Sequence, residues 1–490
     1  MSFEKCYKQN IKYPYHEWNN VLENSPNRPN AIHREHFYHP VYTIDPEGCQ
    51  DVDDGFSVYF ENEKLFLSIH IADPTHYFNV HRDSESLFQE IRKRGMTYYP
   101  SGYNSKPIHM LPPYILNQSS LHTEKEYDFK FTLTITTEID QTTYLPVSFA
   151  EDSLRFCVVE VRPENKFTYI QASQTDMFGN VFGNALKISK NMRQNRQDSI
   201  KISNKTGLKF LSDSRVYIYQ YSEREIEMKQ MIEEFAIFAN MYIGEYLKHN
   251  NDILQYRGIF RSCDASVFVE QYKNSDENSD ENIYKQLIKN NITAEYTDDF
   301  RTHDMIACDK MYTHFTSPIR RFSDCLCHFL LKYIYLGKKL SKVQNPFTEP
   351  ELKNMIKEAH LKTKQNKKIS YLDQKFRKIQ AMFCLLQNMN HRQDGNNYII
   401  AECEIVSYKS GFVNILITHI ISNLTYSKLP INLSCSFWKE HSVDSGHFKA
   451  KISKIGLYIS RDDLYIPFTQ SGKIKDNEVF PEIYQRVQEL

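Results

Sequence analysis

At 490 residues, with 41% hydrophobic and 13% aromatic residues, the chain is too long for one ordinary domain and too rich in core formers for wholesale disorder. A formal net charge of −1 excludes a globally basic nucleic-acid binder, so any such binding must rest on local patches. Ten scattered cysteines, of which only Cys325 and Cys327 lie close together, offer neither a zinc spacing nor a disulfide framework. The N-terminal MSFEKCYKQN has no apolar signal core and no apolar run nears spanning length. The expectation is a soluble protein of the reduced cytoplasmic compartment, without a membrane role.

Residues 1–40 are polar, contain Pro14, Pro26 and Pro29, and are too few for a substantial domain. Next comes Thr43-Ile44-Asp45-Pro46-Glu47-Gly48-Cys49-Gln50-Asp51-Val52-Asp53-Asp54-Gly55. Asp45, Asp51, Asp53 and Asp54 fall within ten positions with no cation among them. Such a cluster is either a solvated acidic turn or a site for a hard divalent ion such as magnesium or manganese, which all-oxygen ligands suit. An EF-hand calcium loop is excluded: counted from Asp51, its glycine and glutamate places hold Phe56 and Asn62.

Alternating apolar residues predict strands at Phe56–Phe60 and Lys64–Ala72 around a turn at Glu61-Asn62-Glu63. In an extended segment Asp51 and Asp53 would face one side and Asp54 the other. His70, Asp73 and His76 allow a metal reading, against the plainer one of hydrogen-bonded strand-end side chains. A helix is expected over Ser84–Arg94, closed by Gly95, then a Pro-, Gly- and Tyr-rich loop from Tyr98 to Tyr103. Strands follow at Asp128–Ile139 and Leu145–Val161.

The middle of the chain reads as mostly helical. Residues 186–209 carry seven Lys or Arg against Asp198, a solvated face or a phosphate track. A helix at Glu223–Lys248 has a buried stripe of Ile232, Phe235, Ala239, Ile243 and Tyr246, with Glu233 and Asn240 together on another face. In Tyr312-Thr313-His314-Phe315-Thr316-Ser317-Pro318-Ile319-Arg320-Arg321-Phe322-Ser323-Asp324, Ser317 and Pro318 read as a helix N-cap and first position. That places Arg320 and Arg321 in a first turn whose dipole disfavours cations. The pair is either a phosphate cradle or a surface ion-pair site. Residues 351–380 form a basic helix. Past Asp394-Gly395, short alternating strands (Ile399–Val406, Phe412–Ile417, Phe448–Ile455, Leu457–Ile459) suggest a small β-barrel.

Taken together these stretches resemble the RNB family, the catalytic domain of ribonuclease II, ribonuclease R and the exosome's RNB nuclease. Thr43–Gly55 is similar to its T-I-D-P-x4-D-x-D-D-A signature, with Gly55 in the alanine place. Tyr312–Asp324 is similar to Y-T-H-F-T-S-P-I-R-R-Y-x-D, with Phe322 in the tyrosine place. His70–Tyr77, Arg94-Gly95, Met110-Leu111-Pro112 and Ile232–Asn240 fall between them in the family's order.

The resemblance implies an α+β fold: an RNB catalytic domain at 41–395, a mixed β-sheet with surrounding helices, followed at 396–490 by a small OB-type RNA-binding barrel. It implies a 3′→5′ exoribonuclease that hydrolyses single-stranded RNA to nucleoside 5′-monophosphates with two magnesium ions, or manganese. Asp45, Asp51, Asp53 and Asp54 would hold the metals and the attacking water. Arg320 would clamp the scissile phosphate beside Arg321, Tyr169 would stack the 3′-terminal base, Glu233 would contact its ribose or base, and Tyr99 would line the channel. A monomer is expected. The rival is a catalytically inactive RNB-like RNA-binding or scaffold protein. Three departures stand out: forty N-terminal residues cannot hold the family's cold-shock domains, its helical glutamate after Asn366 has only Asp373 to answer it, and the OB likeness is confined to Ala401–Val413.

Overall fold

The computed structural model describes residues 32–467 other than 81–85, 103–104, 148–152, 176–178, 197–205, 213–214, 267–291, 307–309, 341–342, 344, 390–398, 410–411, 422–427, 439–446, 454–455 and 460–463. Most of the N-terminal extension, Lys201 and Lys205 of the basic run, and the boundary at residue 395 lie outside the described residues.

The fold is mixed α+β. Its centre is a five-stranded sheet of β1 (Glu35–Phe37), β3 (Asp54–Glu61), β4 (Lys64–Ala72), β5 (Asp128–Ile139) and β6 (Leu154–Val161), in the order β1-β6-β5-β4-β3. The edge strand β1 runs parallel to β6; every other pair is antiparallel. β3 and β4 join through Asn62 and Glu63, both at positive φ, which gives the tight connection a two-residue hairpin needs. Leu145–Val161 was expected as one strand, but Leu145–Val147 lies outside β6.

One sheet face is apolar. Leu65, Leu67, Ile69 and Ile71 alternate into the core with Leu133 and Ile135, and Phe56 meets Phe235 with ring centroids 5.5 Å apart. Phe235 belongs to α4 (Glu223–His249), which begins with a capping box of Ser222 and Glu225. The other face is polar yet buried, because its side chains bond one another. His70 lies 3.1 Å from Ser57 Oγ and 3.0 Å from Thr134 Oγ1, so hydrogen bonding, not metal ligation, explains it.

Asp73, at the end of β4, is completely buried and anchors α5 (Phe322–Lys339) to the sheet. Lys332 Nζ donates to it at 2.9 Å, Arg34 pairs with it, and Thr75 Oγ1 donates at 2.6 Å. Burial alone would push its carboxyl up; Lys332 and then Arg34 outweigh this and hold it well below the usual carboxylate range. Asp73 is therefore a buried ion-pair centre, not a metal ligand.

Four further helices pack into the body: α1 (Leu87–Arg94), α2 (Tyr169–Gln174), α3 (Gly179–Asn195) and α6 (Glu349–Met389). Ser86 caps α1 by accepting from Gln89 N, and Gly95 closes it at φ 75°, close to the expected bounds. The 41-residue α6 is a spine. Its Glu358 takes a bidentate pair from Arg92 at 2.7 and 2.8 Å, Asn366 Nδ2 donates to Thr97 O at 3.0 Å, and Lys378 Nζ donates to Ile431 O at 2.7 Å.

Ile431 lies in the C-terminal sheet, where β8 (Ile399–Lys409), β9 (Phe412–Ile421), β10 (Lys428–Trp438), β11 (His447–Ser453), β12 (Gly456–Ile459) and β13 (Leu464–Pro467) are ordered β10-β9-β8-β11-β12-β13. All pairs are antiparallel. The expected OB-type barrel is not confirmed: among the described residues no pairing joins β10 to β13, so no closed barrel is found. Alternation identifies strands but carries no information on closure, which depends on tilt and register between the edges.

Among the described residues no helix is long and apolar enough to cross a membrane.

Candidate active site

Two local pairings bring the acidic stretch to one place. β2 (Thr43–Asp45) runs parallel to β7 (Lys166–Thr168), with Asp45 opposite Thr168. Thr168 caps α2, so Tyr169, its first residue, emerges beside Asp45. The segment before β2 also crosses β3, with Tyr42 N donating to Phe56 O and Phe56 N to Tyr42 O, both at 2.9 Å. A Cβ on Gly55 would stand 2.9 Å from Val41 Cγ1 and 3.1 Å from Tyr42 O, so with glycine here Val41 packs closer than an alanine would allow without a shift.

Between the strands, Ser120 Oγ accepts from Val52 N at 3.0 Å and donates to Gln50 O at 2.7 Å. This stapled loop is not an extended strand, because β3 starts only at Asp54. The expected alternation therefore fails, and all four aspartates line one wall of a single cavity of about 520 Å³.

The facing wall comes from the Tyr312–Asp324 stretch. Asn240 on α4 clips it in place, accepting from Phe315 N at 2.8 Å and donating to Tyr312 Oη at 3.0 Å. Asp324 holds the turn, accepting from Ser317 N and Arg321 Nη2, both at 2.8 Å. The helix starts later than the Ser-Pro signal suggests. Arg321 is the N-cap of α5, in extended conformation at φ −136° and ψ 127°, bridged to Met96, while Phe322 N donates to Gly95 O at 2.8 Å. Ser317 and Pro318 instead open a separate turn whose carbonyl accepts from Arg321 N. The arginines thus precede the helix, and the dipole conflict inferred for its first turn does not arise.

Arg320 and Asp53 join the walls. Asp53 is buried, accepting from Ile319 N at 2.8 Å on one oxygen and from Arg320 Nε at 3.0 Å on the other. Arg320 also donates to Ser317 Oγ at 2.8 Å and remains 42% exposed toward the cavity. Tyr99 Oη donates a short hydrogen bond to Asp51, so Tyr99 both lines the cavity and holds an aspartate. Its loop is tied down by Asp373, which accepts from Ser101 N at 2.5 Å. Asp373 therefore positions the loop and does not line the cavity.

Tyr169 and Glu233 line the same cavity as the aspartates. Glu233 meets Arg193 at 3.4 Å, while the adjacent Glu234 is buried and pairs closely with Arg193 and Arg196. Sequence reasoning missed Lys229, Tyr312 and His314, which also line it. Tyr312 and His314 belong to the recognised stretch, and Lys229 lies one helical turn before Glu233, so helical spacing held the signal.

The donor chemistry fits hard divalent cations. Burial, then Asp54, pushes Asp45 up to about 8; burial pushes Asp54 up to about 6 against the opposing charges of Arg320 and Arg321. Asp45 Oδ2 is buried without a hydrogen-bond partner. The carboxylates are short of positive charge. Among the described residues, however, no three His, Cys, Asp or Glu side chains are gathered into a metal cage; Asp51 and Asp53 are turned to Tyr99 and to Arg320 with Ile319 N.

A pH dependence follows. Both folded-state values exceed the ordinary 3.8, so the folded chain binds more protons than the unfolded one between roughly pH 4 and pH 8. Stability without divalent ions is expected to fall as pH rises through that window. Asp45→Asn should flatten the fall and raise the melting temperature at pH 8 by a few degrees, as thermal unfolding in chelator will measure.

Residues 34–337 match the RNB domain. The chain belongs to the RNB family. It is 26% identical over 340 residues to the exosome complex exonuclease dis3 of Schizosaccharomyces pombe, covering 59% of this chain and 33% of that protein. It is 27% identical over 350 residues to ribonuclease R of Thermotoga maritima, covering 64% of this chain and 46% of that one. The RNB chain thus spans about a third to a half of the length of these curated relatives.

Among solved structures, Mycoplasma genitalium RNase R in complex with double-stranded RNA superposes with a TM-score of 0.66 at 17% identity, over 92% of this chain and 80% of that one. Yeast Ssd1, a pseudonuclease, gives 0.55 at 16% identity over 91% and 54%. These likenesses establish the fold, which nuclease and pseudonuclease share.

Proposed function

We propose that this RNB protein is a 3′→5′ exoribonuclease that hydrolyses single-stranded RNA to nucleoside 5′-monophosphates. The observation that carries the reading is the convergence of four aspartates, Arg320 and Tyr169 on one cavity from segments as much as 275 positions apart (45 to 320). Asp45, Asp51, Asp53 and Asp54 would hold two divalent cations, magnesium or manganese, which when bound neutralise phosphate oxygens and acidify a water. Arg320, a fixed donor at the cavity wall, stabilises charge developing on the phosphate. Tyr169 stacks the 3′-terminal base, Glu233 reaches its ribose or base, and Arg321 adds positive potential behind Arg320.

The deciding experiment is a release assay on RNA labelled at either end, with magnesium and with chelator. Metal-dependent release of nucleoside 5′-monophosphates from the 3′ end is expected. Binding without release would instead support a second reading, a non-catalytic RNA-binding protein, which the fold shared with Ssd1 allows.

Arg320→Ala should cost about 2–4 kcal/mol in transition-state stabilisation, seen mainly in kcat. A change confined to affinity would make Arg320 a tether.

A further inference from the structure

Among the described residues three cationic side chains line the cavity, and two are committed to carboxylates: Arg320 to Asp53 and Arg321 to Asp324. The third is Lys229. Its Nζ lies 4.7 Å from the ring centroid of Tyr169 and 3.9 Å from that of Tyr221, and among the described residues no carboxylate is within ion-pair reach of it. Glu233, one helical turn on, is the natural partner, but it meets Arg193 instead. An ammonium between two aromatic faces gains about 0.5–2 kcal/mol. That holds it in place and leaves its charge uncompensated.

The position suits one ligand chemistry. Tyr169 follows the residue paired with Asp45, and burial, followed by the charges of Asp54 and Asp45, raises its hydroxyl pKa, so the carboxylates lie toward one end of the ring. Lys229 lies over the ring. With a terminal base on the Tyr169 face that Lys229 leaves free and its 5′-phosphate at Arg320, the 3′-oxygen would have Lys229 as the one cation of the cavity lining, among the described residues, not already paired with a carboxylate. We propose that Lys229 is a receptor for a 3′-terminal phosphomonoester, so that the cavity accepts RNA ending in a 3′-phosphate. The proposal rests on the exonuclease reading and extends its substrate class.

At pH 7 such a group carries about −1.5 to −2 charges, far more than a ring quadrupole offers the ammonium. The reaction balances without another reactant. Water oxygen bonds to the terminal phosphodiester phosphorus, and the bond to the 3′-oxygen of the penultimate nucleotide breaks. That oxygen leaves with one water proton, and the other goes to solvent. The first product is nucleoside 3′,5′-bisphosphate and later ones are 5′-monophosphates. The substrates are ends left by RNA cleavage in which a 2′-hydroxyl attacks its own phosphodiester and water opens the cyclic phosphate.

The test uses matched oligoribonucleotides ending in 3′-hydroxyl or 3′-phosphate. Affinities are measured by anisotropy on the full chain carrying Asp53→Asn, so that nothing turns over. The preference for the 3′-phosphate end, expressed as the ratio of the two affinities, should fall about tenfold on adding Lys229→Met and be retained with Lys229→Arg. An unchanged ratio in Lys229→Met, or rejection of the phosphorylated end by the parent, overturns the proposal. With the active protein, mass spectrometry should find nucleoside 3′,5′-bisphosphate as the first product. Hydrolysis of only the 3′-hydroxyl RNA sinks this proposal and spares the exonuclease reading. Hydrolysis of neither RNA sinks that reading, and the affinity ratio still decides whether Lys229 receives the phosphate.

Discussion

Asp53→Asn is expected to lower turnover by about a thousandfold while leaving RNA affinity within a few-fold of the parent. The geometry makes this substitution conservative in shape and drastic in chemistry. The amide oxygen still accepts from Ile319 N, so the turn carrying Arg320 stays in place. The second carboxylate oxygen, which accepts from Arg320 Nε, becomes a donor facing a donor. Arg320 is then released from its partner, and the wall loses a negative charge that would, on the proposed reading, help to hold a hard cation. On the proposed reading, RNA binding would depend on the stacking face of Tyr169 and on phosphate contacts elsewhere, which the substitution does not touch. Single-turnover hydrolysis and anisotropy on the same labelled strand separate the two effects. Substantial magnesium-dependent hydrolysis by the variant would remove Asp53 from the chemistry.

Asp73→Ala is expected to destabilise the fold by about 3–5 kcal/mol, the usual cost of removing one partner from a buried ion pair. Asp73 is fully buried, and the variant would leave Lys332 and Arg34 buried with no counter-charge. The loss arises from stranding those cations more than from the worth of the pair. Adding Lys332→Met, which removes one stranded charge and keeps an apolar stem, should therefore recover part of it. Urea unfolding of the parent and these two variants measures this. If the double variant is less stable than Asp73→Ala by the full cost of a second substitution, the stranded-charge account fails.

Much of the site was legible because its parts are local. Four acids within ten residues, and two arginines after a Ser-Pro turn, are visible in any reading of the chain, and the family resemblance linked them. Seven-residue spacing on α4 placed Glu233 and Asn240 on one face, and both line the cavity. What the sequence by itself determined is the set of candidate groups and the strands and helices with clear periodicity, since these depend on side-chain chemistry and near neighbours.

The tertiary structure decided the rest. Only the parallel pairing of β2 with β7 sets Tyr169 beside Asp45, because that contact joins residues 124 positions apart (45 to 169). Only the ladder from Gly95 and Met96 to Phe322 and Arg321 moves the helix start past the arginines, by supplying a partner for Phe322 N that a capping pattern does not foresee. Strand pairing, which alternation does not encode, sets the order of the C-terminal sheet, and among the described residues no pairing closes it. The partnerships of Asp51 with Tyr99, and of Lys229 with two aromatic rings, are likewise three-dimensional. A charge acquires its role from what is buried next to it, and burial is a property of the packed chain.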